Sequence, residues 1–443
     1  MTFRTDAGFS RIPALNQRAF VHALISYVVI PVALGWFGYV SLAGASSLSP
    51  RPVRLPSTTV YDPYLDDFTV FYTAGKLTRE GSADDVYRVE QLHLAEAEVL
   101  RAPPSKVLTL PFFNPPFSLG VFAALSLLSL PVAAAVWTVA GLGSCAATAA
   151  ALWADRRRAA PATLLALALG AVSSPPFFQT LLHGQTTFFL LLGFVLLWLG
   201  LGFGRRAETL LTCALVLIAH KPQLIVLPAA YLLAVGLWRP VLKAGLVLAA
   251  ITAIIATLTG WGVVIDHVRL LLSATRWHDS NGISTWGMFG WNAFAEALGI
   301  ARPQTSVLVA ALDLATLGIV GLGLRRTSRL GRDRLLAVLI FGALLVSPHV
   351  YEHDVLLAAL PVFLMATAGD RVDRVVWAVF GALGWATLYF HFDLLNATSI
   401  NFTALWLAGG LLLGAFPPHK WLGRRARWIP SVANLLIQDG AGS

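Results

Sequence analysis

Apolar residues run along this chain in long blocks. They show neither the strict alternation of a half-buried strand nor the polar stripe of a surface helix. The first block spans about 19–43. Later ones fall at about 132–153, 161–179, 186–203, 209–220, 222–237, 241–260, 305–324, 335–349, 353–368, 375–390 and 402–416. A bilayer's apolar layer takes about 20 helical residues, so these blocks predict transmembrane helices, and the shorter ones must borrow flanking residues. The first block is too long for a signal-peptide core and reads as an uncleaved span. The block at about 115–130 starts at Pro115-Pro116, stops at Pro131 and is near the lower limit of length.

The polar breaks between blocks are of two kinds. One kind is basic: Arg156-Arg157-Arg158, Arg205-Arg206, Arg239 with Lys243, Arg325 to Arg334, Arg371 with Arg374, and Lys420 to Arg427. With Arg4, Arg11 and Arg18 these hold most of the 32 basic residues. The other kind carries acids, histidines and aromatics. The positive-inside rule assigns the basic breaks to the cytoplasm, and strict alternation from 132 onward satisfies it throughout. The N-terminus joins that side if 115–130 is re-entrant or interfacial, or if the count nearby is off by one span. A re-entrant segment needs protein or a cavity around its broken backbone.

The pattern therefore predicts an all-α polytopic membrane protein of about 12 transmembrane helices. Its parts are a cytoplasmic segment 1–18, a membrane domain 19–416 and a basic cytoplasmic tail 417–443. Large extracytoplasmic loops are expected at 45–114 and 261–304. The bacterial inner membrane is the expected location, with the chemistry on the outer face.

Composition agrees. Hydrophobic residues make up 57% and charged ones 12% of the 443 residues, against about 45–50% and about 25% in soluble domains. Disordered chains are charged and poor in large apolar residues, so disorder is excluded. The net charge of +9 follows from topology and does not call for nucleic acid. Cys145 and Cys213 lie inside apolar blocks and form neither a disulfide framework nor a metal pattern.

The candidate chemistry collects in the outer breaks. In the first loop Asp66 and Asp67 precede the aromatic stretch Phe68 to Tyr72. They are read either as a helix cap or as a general base for a hydroxyl. Asn114, before Pro115-Pro116, is read as part of a stiff hinge or as a substrate contact. His183-Gly184-Gln185 offers a helix-end turn or sugar recognition. Lys221, in Lys221-Pro222-Gln223, is read as snorkelling to lipid headgroups or as the partner of a lipid phosphate. Gln223 and Arg276 are further candidates for binding.

The densest group is His349, Tyr351, Glu352, His353 and Asp354, which is costly in apolar surroundings. His349 and His353 have the spacing of a helical zinc pair, but Val350 stands where a zincin needs glutamate, and Pro348 interrupts the helix. A polar cavity wall for phosphate or sugar is the favoured reading, with no metal and no cofactor.

Together, Asp67-Phe68-x-x-Phe71-Tyr72, Asn114-Pro115-Pro116, His183-Gly184-Gln185, Lys221-Pro222-Gln223 and Ser347-Pro348…His353 resemble glycosyltransferase family 87, membrane enzymes of the GT-C superfamily. The resemblance covers roughly 20–415 and includes the mycobacterial mannosyltransferase that extends phosphatidylinositol mannosides. It implies the GT-C fold, a polyprenyl-phosphate sugar donor (most often mannose), a glycolipid or glycan acceptor, and inversion at the anomeric carbon. It implies Asp67 as catalytic base, with Asp66 the alternative, and His353 near the donor phosphate. The family's usual tryptophan and second histidine after Ser-Pro are replaced here by Tyr351 and Asp354, and His349 is added. The rivals are a lipid or sugar transporter, for which Asp313 is the one mid-span carboxylate, and a GT-C ligase using another lipid-linked donor.

Overall fold

The computed structural model describes residues 51–418, except 56–57, 63–65, 108–109, 157–160, 203–206, 274–287, 301–302, 328–330 and 368–370, with side chains from Asp67 on. The first apolar block, the basic tail and Arg276 lie outside the described residues.

A short antiparallel hairpin, β1 (Arg51–Leu55) and β2 (Thr58–Asp62), opens the described part of the first loop. The helices α1 (Asp66–Arg79) and α2 (Val89–Leu100) follow, joined through a 3-10 turn at Ala83–Tyr87. After Pro115-Pro116 comes α3 (Leu119–Leu125), which has 7 residues. At about 1.5 Å per residue it is far too short to cross a bilayer alone.

The bundle continues with α4 (Leu130–Arg156), α5 (Pro161–Val172), α6 (Pro175–His183), α7 (Thr187–Gly200), α8 (Ala207–Ile218), α9 (Pro222–Ala234) and α10 (Trp238–Thr259). The second large loop contributes α11 (Gly262–Leu272) and α12 (Trp291–Ala297). The chain then forms α13 (Gln304–Thr327), α14 (Arg332–Val346), α15 (Glu352–Val355), α16 (Ala359–Ala366), α17 (Arg371–Tyr389), α18 (His391–Thr398) and α19 (Phe402–Ala415).

Among the described residues α4, α10 and Gln304–Arg325 of α13 are each long and apolar enough to span a bilayer. Two further pairs qualify as broken spans: α5 with α6, bent by 48°, and α17 with α18, bent by 72°. Most remaining apolar blocks form helices of 10–17 residues. Hydropathy ran the block 161–179 through one break that the backbone respects, since Pro175-Pro176 restarts a helix there, while Gly184 and Pro222 mark helix ends that the gaps between blocks already showed. Large apolar side chains on α4, α10, α13 and α17 face outward. An uncovered apolar belt of this size belongs in lipid. The protein is a helical integral membrane protein.

Two cores organise it. The first centres on α14, buried on every side from Arg334 to Leu345 and packed against α7, α9, α13, α16 and α19. A helix apolar all round has to sit in the middle of a bundle. The second core lies under the first loop. Phe68 and Phe71, three apart on one face of α1, meet Trp137 of α4, and Phe71 stacks on Phe122 of α3 at 4.9 Å. Gly75 lets α1 lie directly against α3, because a Cβ there would stand 2.1 Å from the Phe122 carbonyl oxygen.

The bundle has two polar ends. At one, Arg156 pairs with Asp333, and Trp198 Nε1 donates to Asp333 at 2.8 Å. Arg332 lies over the Trp198 ring at 4.0 Å, and Arg334 and Asp373 form a buried ion pair. Three of the basic breaks thus converge. The helices α4, α7 and α14 run from this end to the other, where the candidate site is built.

Candidate active site

The chain leaves α14 at Ser347, whose backbone is extended (ψ 129°). Pro348 follows, and Val350 accepts a backbone hydrogen bond from Phe289 at 2.8 Å. Helix resumes only at Glu352, after an extended Tyr351. The Asp354 carboxylate accepts the Tyr351 N–H at 3.3 Å, which ties this turn together. His349 and His353 are therefore not one helical turn apart. His349 stacks on Phe113 at 5.4 Å, and His353 faces Lys221. The paired-ligand geometry that their spacing offers on a helix is not formed.

Lys221 is the N-cap of α9 and precedes Pro222, so its backbone is extended (φ −118°, ψ 93°). The side chain points into the protein. It pairs with Asp354, which is 2% exposed, and approaches His353 Nε2 at 3.0 Å. An ammonium only donates, so Nε2 is the acceptor and the ring is a neutral imidazole with its proton on Nδ1. The snorkelling reading of Lys221 gives way to this arrangement: a buried carboxylate holds the ammonium better than a distant headgroup can. Two of its three N–H groups are used.

His183 ends α6, and Gly184 caps it in the left-handed region (φ +66°). Trp137 Nε1 donates to the Gly184 carbonyl at 2.7 Å, fixing this turn to α4. The His183 ring meets Gln179 at 2.5 Å. Its charge also acts on Glu352, whose carboxyl burial pushes up to about 7 while His183 opposes the rise. Gln185 is buried, and its N–H bonds Thr180 at 3.0 Å. Gln223 is half-buried in the first turn of α9.

Asp67 enters from the first loop, in the first turn of α1, where the helix dipole favours a carboxylate. Burial raises the Tyr351 hydroxyl well above its usual range, and the charges of Asp67 and then Asp354 add to the rise. Asp67 is thus close enough to act on the turn that carries His353. The side chain of Asp66 is outside the described residues.

Asn114 is buried, and its carbonyl accepts from Tyr87 Oη at 2.9 Å. His267 of α11 reaches the Phe113 carbonyl at 3.4 Å, and its ring packs on Tyr87 at 4.9 Å. The segment before Pro115 is therefore clamped from two sides and presents Phe113 to His349.

The fold gathers Asp67, His183, Lys221, Tyr351, Glu352, His353 and Asp354 at one end of the bundle, with His349 and Asn114 joined to it through Phe113. Sequence reading missed Gln179, Phe113, Tyr87 and His267. Gln179 had a signal, since it stands one helical turn before His183. The other three join elements far apart in the chain and left none.

A carboxylate that acts on one residue of a polar turn whose other residues hold a lysine–histidine pair suits proton removal by the one and anion stabilisation by the other. No curated protein and no solved structure matches the chain. The model for glycosyltransferase family 87 matches residues 112–348, more than half of the 443. That stretch includes Asn114, His183 to Gln185, Lys221 to Gln223 and Ser347-Pro348. By this match the chain belongs to glycosyltransferase family 87.

Proposed function

We propose that this glycosyltransferase moves a sugar, mannose by preference, from a polyprenyl-phosphate donor to a hydroxyl of a lipid-linked or cell-envelope glycan, with inversion. The reaction is assigned to the outer face of a bacterial inner membrane. Positive-inside reasoning gives the orientation: the arginine end, with Arg156, Arg332 and Arg334, is cytoplasmic, and the opposite end is outside. The count of about twelve spans belongs to the same proposal, with the shorter helices and their polar flanks completing it and α3 re-entrant.

The observation that carries the reading is the sharing of one turn by two kinds of group. Asp67 acts on Tyr351 from the first loop, and Lys221 holds His353 and Asp354 from the membrane bundle. The acceptor hydroxyl loses its proton to Asp67 as its oxygen bonds the anomeric carbon. The bond from that carbon to the phosphate oxygen breaks, and its electron pair leaves with the lipid phosphate. The remaining Lys221 N–H and the His353 Nδ1–H offset the phosphate charge. One carboxylate suffices for direct displacement, which gives inversion. Gln185, His183, Gln223 and Asn114 are assigned to the walls around the sugar, with Arg276 and His349 as further contacts. A monophosphate leaving group carried on a lipid needs no bridging metal.

The test supplies polyprenyl-phosphate-mannose with a labelled sugar, and a lipid and glycan extract from the source membrane as acceptor. Wild type should transfer label with and without chelator, and Asp67→Asn should not. Transfer lost only in Asp66→Asn moves the base by one residue. Absence of donor binding to wild type rejects the donor.

A further inference from the structure

Only two residues separate the end of the span α10, at Thr259, from the start of α11, at Gly262. The helix α11 carries an apolar stripe that no other described element covers. Trp261, Ile265, Val268 and Leu272 follow helical spacing and are 60%, 52%, 49% and 82% exposed. The opposite face, with Val263, Asp266, His267 and Leu270, is buried.

We propose that α11 lies flat in the headgroup layer of the outer leaflet. Its stripe sinks into the acyl boundary, and Arg88 and Arg269 meet lipid phosphates. The occupant follows from continuity. The exposed face of α10 runs apolar through Ile254 to Leu258 in its last turn, so lipid reaches the point where α11 begins. Gly260, in the left-handed region (φ +99°), makes the break between the two helices. A tryptophan just past the end of a span, as Trp261 is, is the usual interfacial anchor. A helix with one apolar face and arginines at its border takes this pose on a membrane surface.

The arginines are arranged for it. Asp266 pairs with Arg269 at 2.8 Å and with Arg88 at 3.2 Å, which holds both guanidiniums at one height. Both remain exposed, with N–H groups to spare for phosphate oxygens.

The leaflet then touches the candidate site through two residues. The buried face of α11 presents His267 to the Phe113 carbonyl and to the Tyr87 ring, and Phe113 stacks on His349. Seating α11 in lipid fixes the height of that wall. The docking stands without the transfer reading; only this consequence rests on it.

The test uses spin labels in lipid nanodiscs, on a Cys145→Ala/Cys213→Ala background, with cysteine placed at Ile265, at Leu272 or at exposed Glu90 as the aqueous reference. Labels at 265 and 272 should favour collisions with oxygen over a water-soluble nickel complex and report a depth about 5–10 Å below the phosphates, where interfacial helices sit. The label at 90 should show the reverse. Nickel accessibility at 265 and 272 equal to that at 90 overturns the proposal. So does protection from both agents, which means that protein covers the stripe. None of these readings needs turnover, so failure of the transfer assay leaves them intact.

Discussion

Lys221 Nζ stands 3.0 Å from Nε2 of His353 while its charge is matched by Asp354, the next residue along. One lysine thereby sets the tautomer of the histidine and neutralises the carboxylate. The trio has no net charge before any donor arrives. Its use toward a phosphate lies in directed N–H groups rather than in a surplus of positive charge.

The pair makes a prediction about stability. In Lys221→Ala, Asp354 is buried without its counter-charge, which costs about 3–5 kcal/mol for a pair of this kind. Replacing both partners, Lys221→Met with Asp354→Leu, should recover most of the melting temperature in detergent. It should not recover transfer. Equal instability of the single and double variants would show that the ion pair is not what the single change breaks.

Glu352 predicts a pH dependence. Its carboxyl is raised to about 7 by burial, from about 4.3 when unfolded. Between those values the folded protein binds more protons than the unfolded chain, so stability falls as pH rises from about 4.3 to about 7 and then levels. Glu352→Gln should flatten that limb of the melting-temperature profile. In transfer assays it should also remove any inflection near pH 7. An inflection unchanged in Glu352→Gln assigns it to another group.

Two glycines predict backbone effects. Gly184→Ala meets a left-handed φ of +66° at the cap of α6 and should lower stability by about 1 kcal/mol. Gly75→Ala should cost more, about 1–3 kcal/mol, since its Cβ meets the Phe122 backbone at 2.1 Å and neither helix can yield by a side-chain turn. Thermal melts of both variants, with Gly81→Ala as a control in open space at φ +84°, separate strain from collision.

Much of the site could be read in the chain because charge in an apolar block is expensive and therefore visible. Lys221 and the Ser347–Asp354 stretch stood out for that reason. Their pairing did not, because 133 residues separate Lys221 from Asp354 and no local periodicity links them. The i, i+4 spacing of His349 and His353 carried no pairing because spacing counts turns only along a helix, and the chain from Ser347 to Tyr351 is not helical. The span count was legible only as a count of apolar blocks. Hydropathy does not register that Pro175 cuts the block 161–179 into two helices. The Tyr87–His267 clamp was hidden for another reason: both residues look ordinary until the loop that joins them folds.

The central claim is that Asp67 takes the acceptor proton while Lys221 and His353 meet the departing phosphate. One measurement on one sample tests it most directly: donor affinity and single-turnover transfer, both with Asp67→Asn in nanodiscs. The account predicts donor affinity within about twofold of wild type and a transfer rate lower by a factor on the order of 10²–10⁴, the range for loss of a general base. Transfer at the wild-type rate with unchanged affinity would contradict it, and the base would then have to be sought elsewhere on the outer face.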